Sequence, residues 1–190
     1  MRGLVFALAA LVSSASHSVE NAEVCFGCHG KGGASTAPLT PSLGGQPSFF
    51  VVAQLFLFRD GRRSKAPTPM DAFAQKLSND DLRAYGELFA KLPPPKPPEA
   101  GMNPVRVEKG RALVQKSNCT VCHNPDFSGR EQMPRLANQR EDYLLKAMRD
   151  YKGNARIGYG SATMPEELAG LNDSELGDIA HYLAYYRKGK

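Results

Sequence analysis

Two copies of one short motif contain every cysteine in the chain. Each copy has the pattern C-x-x-C-H, formed by Cys25, Cys28 and His29 in the first and by Cys119, Cys122 and His123 in the second. Two thiols separated by two residues lie on one helical turn, where they can add across the two vinyl groups of a haem, and the adjoining histidine can bind the iron. The pattern therefore predicts two covalently bound haem c groups, with His29 and His123 as iron ligands.

Three other uses of the cysteines compete with this interpretation. A single zinc site with four thiolate ligands would use both pairs, but it gives His29 and His123 no role. A thioredoxin-like dithiol needs a βαβ context, which the sequence does not show. A disulfide within each C-x-x-C pair would close a loop too short to stabilise the fold much.

The motifs belong to an internal duplication of the chain. The segment P-x-L-x-x-Q that begins at Pro41 recurs at Pro134, at nearly the same distance after its motif. A proline-rich stretch at 93–98 separates the copies and predicts a semi-rigid, extended linker. We therefore expect one domain at 19–92, a linker at 93–100 and a second domain at 101–190.

The beginning of the chain has the features of a secretory signal peptide. Arg2 provides a positive charge, the stretch at 4–12 is apolar, and small residues follow it. We expect residues 1–18 to be removed during export. Export would place the mature protein in an oxidising compartment.

A methionine stands at a matching position after each motif. Met70 and Met164 follow their motif histidines by the same number of residues, and each adjoins a proline. A thioether is a soft iron ligand that raises the reduction potential, which suits electron transfer. The matched spacing favours Met70 and Met164 as the second axial ligands over a role as core filler. Met133 is the rival in the second copy, but a threonine aligns with it in the first.

Further recurring residues lie near the motifs. The carbonyl groups of Pro41 and Pro134 are candidates to accept a hydrogen bond from Nδ1–H of the axial histidines, although a plain turn would also explain these prolines. Arg63 and Arg156 are candidates to pair with haem propionates; the alternative is that they are solvated loop charges. His181 is expected to have an ordinary role, with a surface role as a minor alternative.

The periodicity of apolar residues predicts helices throughout the chain. Helices are expected at 49–59 and 141–151, with a shorter amphipathic segment at 110–118. Ser78 and Asn172 each precede an acidic residue by three positions, which predicts a capped final helix in each copy. No stretch alternates long enough to predict a sheet. The fold is therefore expected to be all-α, with both methionines in loops before the final helices.

Together these motifs resemble those of class I cytochrome c domains, and their duplication resembles the diheme cytochrome c4 family of bacterial periplasms. The shared features are C-x-x-C-H, P-x-L-x-x-Q, an aromatic-led helix, a loop methionine and a terminal amphipathic helix. The resemblance implies two tandem haem domains, His/Met-ligated iron, a periplasmic location and single-electron exchange with respiratory or dehydrogenase partners. Asn124, where the family usually has glycine, and the proline-rich linker depart from the family pattern.

Two alternatives to a free electron carrier remain open on the sequence. A diheme enzyme, such as a peroxidase or a thiosulfate-oxidising protein, would keep one haem with an open or weakly held site. Such an enzyme gives the matched methionines no role. An electron-accepting cytochrome subunit of a dehydrogenase complex, for sulfide or thiosulfate oxidation, would need the same residues as a free carrier.

Composition and charge restrict the partners. The apolar fraction of 42% and charged fraction of 23% are typical of folded proteins and exclude general disorder. No apolar run reaches the roughly 20 residues of a membrane-spanning helix, so we expect no integral membrane segment in the mature chain and leave peripheral association open. The net charge is +5, but no basic run is dense enough to predict nucleic-acid binding. A basic group at Arg149, Lys152 and Arg156 is a candidate to steer an acidic redox protein.

Overall fold

The structure is a computed structural model that describes residues 22–157 and 163–189. The signal peptide expected at 1–18 lies outside these residues. The described helices are α1 (Ala22–His29), α2 (Ser48–Arg59), α3 (Pro69–Ala74), α4 (Asn79–Lys91), α5 (Pro104–Lys116), α6 (Cys119–His123), α7 (Glu141–Lys152), α8 (Thr163–Ala169) and α9 (Asp173–Ala184), with a 3-10 helix at Lys31–Gly33. Within the described ranges β-type pairing is limited to two isolated bridges. The all-α prediction is confirmed.

The N-terminal domain is built on the packing of α2 against α4. Val51 and Leu55 on α2 meet Leu82 and Phe89 on α4, and none of these side chains is more than 8% exposed. Burying a side chain of this kind stabilises a fold by about 1.5–3 kcal/mol. Gly86 allows the close approach of the two helices, because a Cβ there would lie 2.8 Å from the backbone of α2.

The C-terminal domain packs α5, α7 and α9 around a larger core. Leu176, Ile179 and Leu183 form the buried face of α9, and each is at most 3% exposed. Gly110 allows α5 to pack closely against α9, since a Cβ there would lie 2.2 Å from Asp178 O. The longest described helices, α4 and α5, have 13 residues each, and no described helix is both long and apolar enough to span a membrane.

Both final helices have the predicted caps. Ser78 Oγ accepts a hydrogen bond from Asp81 N at 3.2 Å, and the Asp81 carboxylate accepts one from Ser78 N at 2.8 Å. The same exchange joins Asn172 and Glu175, at 3.0 and 2.7 Å. This reciprocal arrangement, a capping box, gives partners to backbone N–H groups that the first helical turn leaves unpaired. Such a cap stabilises the helix by about 1 kcal/mol.

The helix before the second motif is longer than predicted. α5 begins at Pro104 rather than at 110, because Asn103 Oδ1 accepts hydrogen bonds from the N–H groups of Val105 and Arg106 and Pro104 has the backbone geometry of a first helical turn. The expected helices at 49–59 and 141–151 match α2 and α7. In the N-terminal domain the motif lies inside α1 itself.

The two candidate methionine ligands lie in short helices rather than in loops. Met70 is the second residue of α3, which starts where Thr68 and Asp71 form a capping box and Pro69 follows. Met164 is the second residue of α8. The prediction of loops was wrong because a proline next to each methionine is compatible with a first helical turn, where the missing N–H costs no helical hydrogen bond.

The linker begins in contact with the N-terminal domain. A Cβ at Gly44 would lie 2.4 Å from Pro93 O, and one at Gly45 would lie 2.9 Å from the Pro94 side chain. Gly45 N also donates to Phe89 O at 2.9 Å, which ties this loop to the end of α4. The first prolines of the linker are therefore packed against the loop that follows the first motif.

Candidate haem sites

Each motif histidine is buried and bonded through Nδ1 to a proline carbonyl. His29 ends α1 and His123 ends α6, and they are 7% and 5% exposed. Nδ1 of His29 lies 2.8 Å from Pro41 O, and Nδ1 of His123 lies 2.9 Å from Pro134 O. Since a carbonyl only accepts, Nδ1 holds the proton and Nε2 keeps its lone pair for a metal. Burial lowers the pKa of both histidines, against the opposing effect of the carbonyl, and so favours the neutral form that binds iron.

Each motif has one half-buried thiol and one exposed thiol. Cys25 and Cys119 are half-buried, whereas Cys28 and Cys122 are exposed. Burial raises the pKa of Cys25 to about 11 and also raises the pKa of Cys119. No disulfide joins the four motif cysteines, and the described residues contain no group of three or more His, Cys, Asp or Glu side chains able to hold a metal ion. The geometry favours neither a shared zinc site nor a pair of disulfides.

The candidate methionine ligands contact the same apolar clusters as the motif cysteines. Met70 and Cys25 both pack against the N-terminal core of Val51, Leu55, Leu82 and Phe89. Met164 and Cys119 both pack against the C-terminal core. In each domain the candidate methionine and one motif cysteine therefore contact the same apolar core.

Met133, the rival ligand, occupies a different position. It immediately precedes Pro134, whose carbonyl accepts the hydrogen bond from Nδ1 of His123. Met133 also pairs with Arg130 in an isolated bridge, with N···O distances of 3.0 and 2.8 Å. Met133 lines a cavity together with Cys122 and Arg130.

Two arginines, one from each domain, meet at the domain boundary. Arg63 and Arg156 are each 6% exposed. Gln54 Oε1 accepts hydrogen bonds from Arg63 Nε at 2.5 Å and from Arg156 Nη2 at 3.2 Å, while the Tyr143 hydroxyl accepts one from Arg156 Nη1 at 3.3 Å. Burial and the neighbouring charge of Arg156 lower the pKa of Arg63 to about 10. The alternative that these arginines are solvated loop charges was wrong.

This arginine pair has no carboxylate partner among the described residues, and the buried Nε of Arg156 has no hydrogen-bond acceptor there. Two cations buried side by side are unfavourable unless anions lie close to them. The propionates of a haem are such anions. The orphaned nitrogen thus fits a haem whose propionates reach the domain boundary.

The expected basic group at 149–156 does not form a common surface. Arg156 is buried at the domain boundary, and Arg149 Nη2 pairs with Asp173 Oδ2 at 2.5 Å. Lys152 Nζ donates to the carbonyl of Leu171. The close spacing of these residues in the sequence suggested one basic surface patch, but the three side chains bind separate partners.

Two glutamines that sequence analysis did not single out join the domains. Gln139 accepts from Ser42 N and donates to Ser42 O, both at 2.8 Å. Gln46 accepts from Arg135 N and donates to Arg135 O, both at 3.0 Å. Each glutamine is the last residue of a P-x-L-x-x-Q segment and is 4% exposed. The recurrence of the glutamine in both copies was the only sequence signal of a role. The partner of each glutamine lies in the other domain, so local sequence patterns cannot predict it.

His181, expected to be ordinary or at the surface, lies in a buried polar network. It is 2% exposed, its Nε2 accepts from Asn103 N at 2.9 Å, and its Nδ1 lies 2.9 Å from Glu141 Oε2. Arg106 joins this network through Glu141 Oε1 at 2.9 Å and Asp178 Oδ1 at 3.1 Å. The network fixes the start of α5 to α7 and α9 and so supports the second motif structurally.

The chain is similar to several known proteins. Residues 107–186 match the family model Cytochrome c. The chain is 30% identical over 170 residues to cytochrome c4 of Thiocapsa roseopersicina, a match that covers 84% of this chain and 85% of that protein. The chain belongs to the cytochrome c4 family. The solved cytochrome c4 structure from Acidithiobacillus ferrooxidans is 26% identical, has a TM-score of 0.74, and is matched over 86% of this chain and 99% of that chain.

Membership of the cytochrome c4 family agrees with the predictions of fold and cofactor. The protein consists of two class I cytochrome c domains, binds two covalent haem c groups, and is an electron carrier rather than an enzyme, with redox proteins as partners. It is also 29% identical over 169 residues to the thiosulfate dehydrogenase electron acceptor of Thiomonas intermedia, which covers 84% of this chain and 77% of that protein.

Proposed function

We propose that this protein is a periplasmic carrier of single electrons in which His29 and Met70 bind one haem iron and His123 and Met164 bind the other. One observation carries the proposal. In each domain a buried histidine, bonded through Nδ1, is combined with a methionine that contacts the same core cluster as a motif cysteine. The repeat of this combination in both domains supports the assignment.

The cysteines would attach the haems. Cys25 and Cys28 on α1, like Cys119 and Cys122 on α6, are separated by one helical turn, as the two thioether bonds require. A bound haem c supplies one-electron exchange at its iron. Because Cys28 and Cys122 are exposed, each attachment site reaches the protein surface, where a redox partner can approach.

The proline carbonyls would orient the axial histidines. Pro41 O and Pro134 O accept the Nδ1–H groups, which fixes the direction of each ring and increases the basicity of Nε2. Met70 and Met164 would each supply a thioether ligand to the iron of their own domain. A thioether there favours the reduced state, so the two sites would work at relatively high potential.

Arg63 and Arg156 would bind haem propionates at the domain boundary. Their burial without a carboxylate partner among the described residues, and the orphaned Nε of Arg156, support this role. Binding would neutralise two buried cations and two anions together, which holds the cofactors and the domains in one arrangement.

The proposal includes an exported mature chain with two domains. Residues 1–18 would be the signal peptide, 19–92 the first domain, 93–100 the linker and 101–190 the second domain. Support comes from the two separate apolar cores, whose members fall within 25–92 and 113–186. Export is required for the periplasmic location and would be tested by the N-terminus of the mature protein.

The ligand assignment is tested by spectroscopy of the holoprotein. We expect the mature chain to carry the mass of two haems, both irons to be low-spin and six-coordinate, and neither reduced haem to bind carbon monoxide readily. A native haem that binds carbon monoxide would contradict His/Met ligation at that site. A mass corresponding to one haem would contradict the use of both motifs.

A second candidate is the electron-accepting partner of a dehydrogenase. The similarity to the thiosulfate dehydrogenase electron acceptor of Thiomonas intermedia favours it. The two candidate functions differ in the electron donor. Rapid reduction by a thiosulfate dehydrogenase with thiosulfate, but not by respiratory donors of the same host, would support the electron-accepting partner of a dehydrogenase. Co-purification from the host would identify the donor in either case.

A further inference from the structure

A line of hydrogen bonds runs from His29 to a glutamine of the other domain. Nδ1–H of His29 donates to Pro41 O at 2.8 Å. The peptide group that contains Pro41 O also contains the N–H of Ser42, which donates to Gln139 Oε1 at 2.8 Å. One peptide unit therefore accepts from the histidine on one side and donates to the C-terminal domain on the other.

The reciprocal line runs from His123 to the N-terminal domain. Nδ1–H of His123 donates to Pro134 O at 2.9 Å, and the adjoining N–H of Arg135 donates to Gln46 Oε1 at 3.0 Å. Both lines have the same order of groups: imidazole, proline carbonyl, peptide N–H, glutamine amide of the other domain. The duplication of the sequence thus produces a crossed pair of connections.

We propose that Gln139 sets the reduction potential of the haem at His29, and that Gln46 sets the potential of the haem at His123. Each glutamine is a positioning residue that acts through the peptide group bonded to the axial histidine of the opposite domain. The inference rests on the proposed axial role of the two histidines.

The sign follows from hydrogen-bond cooperativity. When Gln139 accepts the N–H of Ser42, electron density in that peptide moves toward the carbonyl oxygen of Pro41, which becomes a stronger acceptor. A stronger acceptor draws the Nδ1 proton of His29 and makes Nε2 a more electron-rich ligand. Such a ligand stabilises the oxidised iron more than the reduced iron. The glutamine therefore lowers the potential of the opposite haem.

The geometry of the glutamines suits this role. Each side chain bonds one residue twice, through Oε1 to its N–H and through Nε2 to its carbonyl: Gln139 to Ser42 and Gln46 to Arg135. Both glutamines are 4% exposed, so water competes little for these groups. Oε1 of Gln139 also accepts from Arg140 N at 3.0 Å. These hydrogen bonds hold each buried amide in a defined orientation.

The test is a pair of matched variants, Gln139→Met and Gln46→Met, with the two potentials resolved by spectroelectrochemistry and assigned to individual haems by NMR. Gln139→Met is expected to raise the potential of the haem at His29 and to leave that of the haem at His123 unchanged. Gln46→Met is expected to do the reverse. The exposed Gln115→Met serves as the control and is expected to change neither potential.

A glutamine with a merely structural role would not shift only the haem of the opposite domain. If each variant shifts the haem of its own domain, or shifts both haems equally, or shifts neither, the proposal is overturned. Gln139→Glu keeps an acceptor for Ser42 N and provides a second measurement if the methionine variant folds poorly. It is expected to lower the potential at His29, and a rise there would overturn the proposal.

NMR of the reduced protein separates this proposal from the assignment of the ligands. The ring-current-shifted imidazole signals of His29 and His123 in the unsubstituted protein report axial ligation, whatever the glutamines do. Gln139→Met is expected to move the Nδ1–H resonance of His29 upfield, as a weakened hydrogen bond requires, without moving that of His123. If the unsubstituted protein shows the axial histidine signals but Gln139→Met leaves the His29 Nδ1–H resonance unmoved, the role of the glutamine is refuted and the ligand assignment still stands.

Discussion

The guanidinium groups of Arg63 and Arg156 share one acceptor, Gln54 Oε1, across the boundary between the two domains. Neither group meets a carboxylate among the described residues, and both are buried. Like charges held this close in a protein interior need a source of negative charge. In the proposed function, the haem propionates would supply that charge.

Arg156→Gln is expected to lower the potential of the haem whose propionate it binds. Reduction adds an electron to the site, and a nearby cation stabilises the added charge; losing that cation removes an interaction on the order of 1 kcal/mol. Spectroelectrochemistry of the holoprotein would measure the shift. Arg187→Gln, at an exposed position near the end of the chain, is the control. Equal potentials in Arg156→Gln and the unsubstituted protein would contradict a propionate partner.

Met164→Ala is expected to open the haem of the C-terminal domain. Without the thioether, that haem should bind carbon monoxide, lose its near-infrared thioether-to-iron band and fall in potential, because the sulfur ligand stabilises the reduced iron. Met70→Ala should have the same effects on the other haem.

Met133→Ala is the matched control for this experiment, since Met133 adjoins the proline that binds the Nδ1 edge of His123. It is expected to keep the native spectrum and the native resistance to carbon monoxide. Loss of the near-infrared band in Met133→Ala, with the band retained in Met164→Ala, would identify Met133 rather than Met164 as the iron ligand.

Gly44→Ala is expected to destabilise the N-terminal domain by about 1–3 kcal/mol. The new methyl group would lie 2.4 Å from Pro93 O, so either the linker or the loop after the first motif must move. Gly170→Ala, where a Cβ meets nothing within 4 Å, is expected to change stability by less than about 1 kcal/mol. Denaturant unfolding followed by circular dichroism would compare them, and equal stabilities would show that the linker contact is dispensable.

Arg106→Gln is expected to destabilise the C-terminal domain by about 1–3 kcal/mol. The substitution removes charged hydrogen bonds to Glu141 and Asp178 and leaves Glu141, which is bonded to the buried His181, without its cation. Arg83→Gln provides the contrast, because its ion pair with Asp80 is exposed and such pairs contribute about 0–1 kcal/mol. Thermal unfolding would measure both, and a loss no larger than that of Arg83→Gln would show that the network adds little.

The sequence by itself determined the local chemistry of this protein. The C-x-x-C-H motifs specify their own helical turn and the side chains on it, so the residues around His29 and His123 could be recognised without a structure. The caps at Ser78 and Asn172 were equally readable, because a capping box is completed within four consecutive residues. Repetition of each pattern in both copies strengthened these predictions.

Only the tertiary structure decided how the copies meet. Gln46 and Gln139 find their partners about ninety positions away in the chain. The burial of Arg63 and Arg156 likewise depends on two loops from different domains. Hydrophobic periodicity and capping act over a few residues and carry no information about such distant neighbours. The relationship between the two haem sites, and the route by which one domain acts on the histidine of the other, therefore emerges only when the domains are packed together.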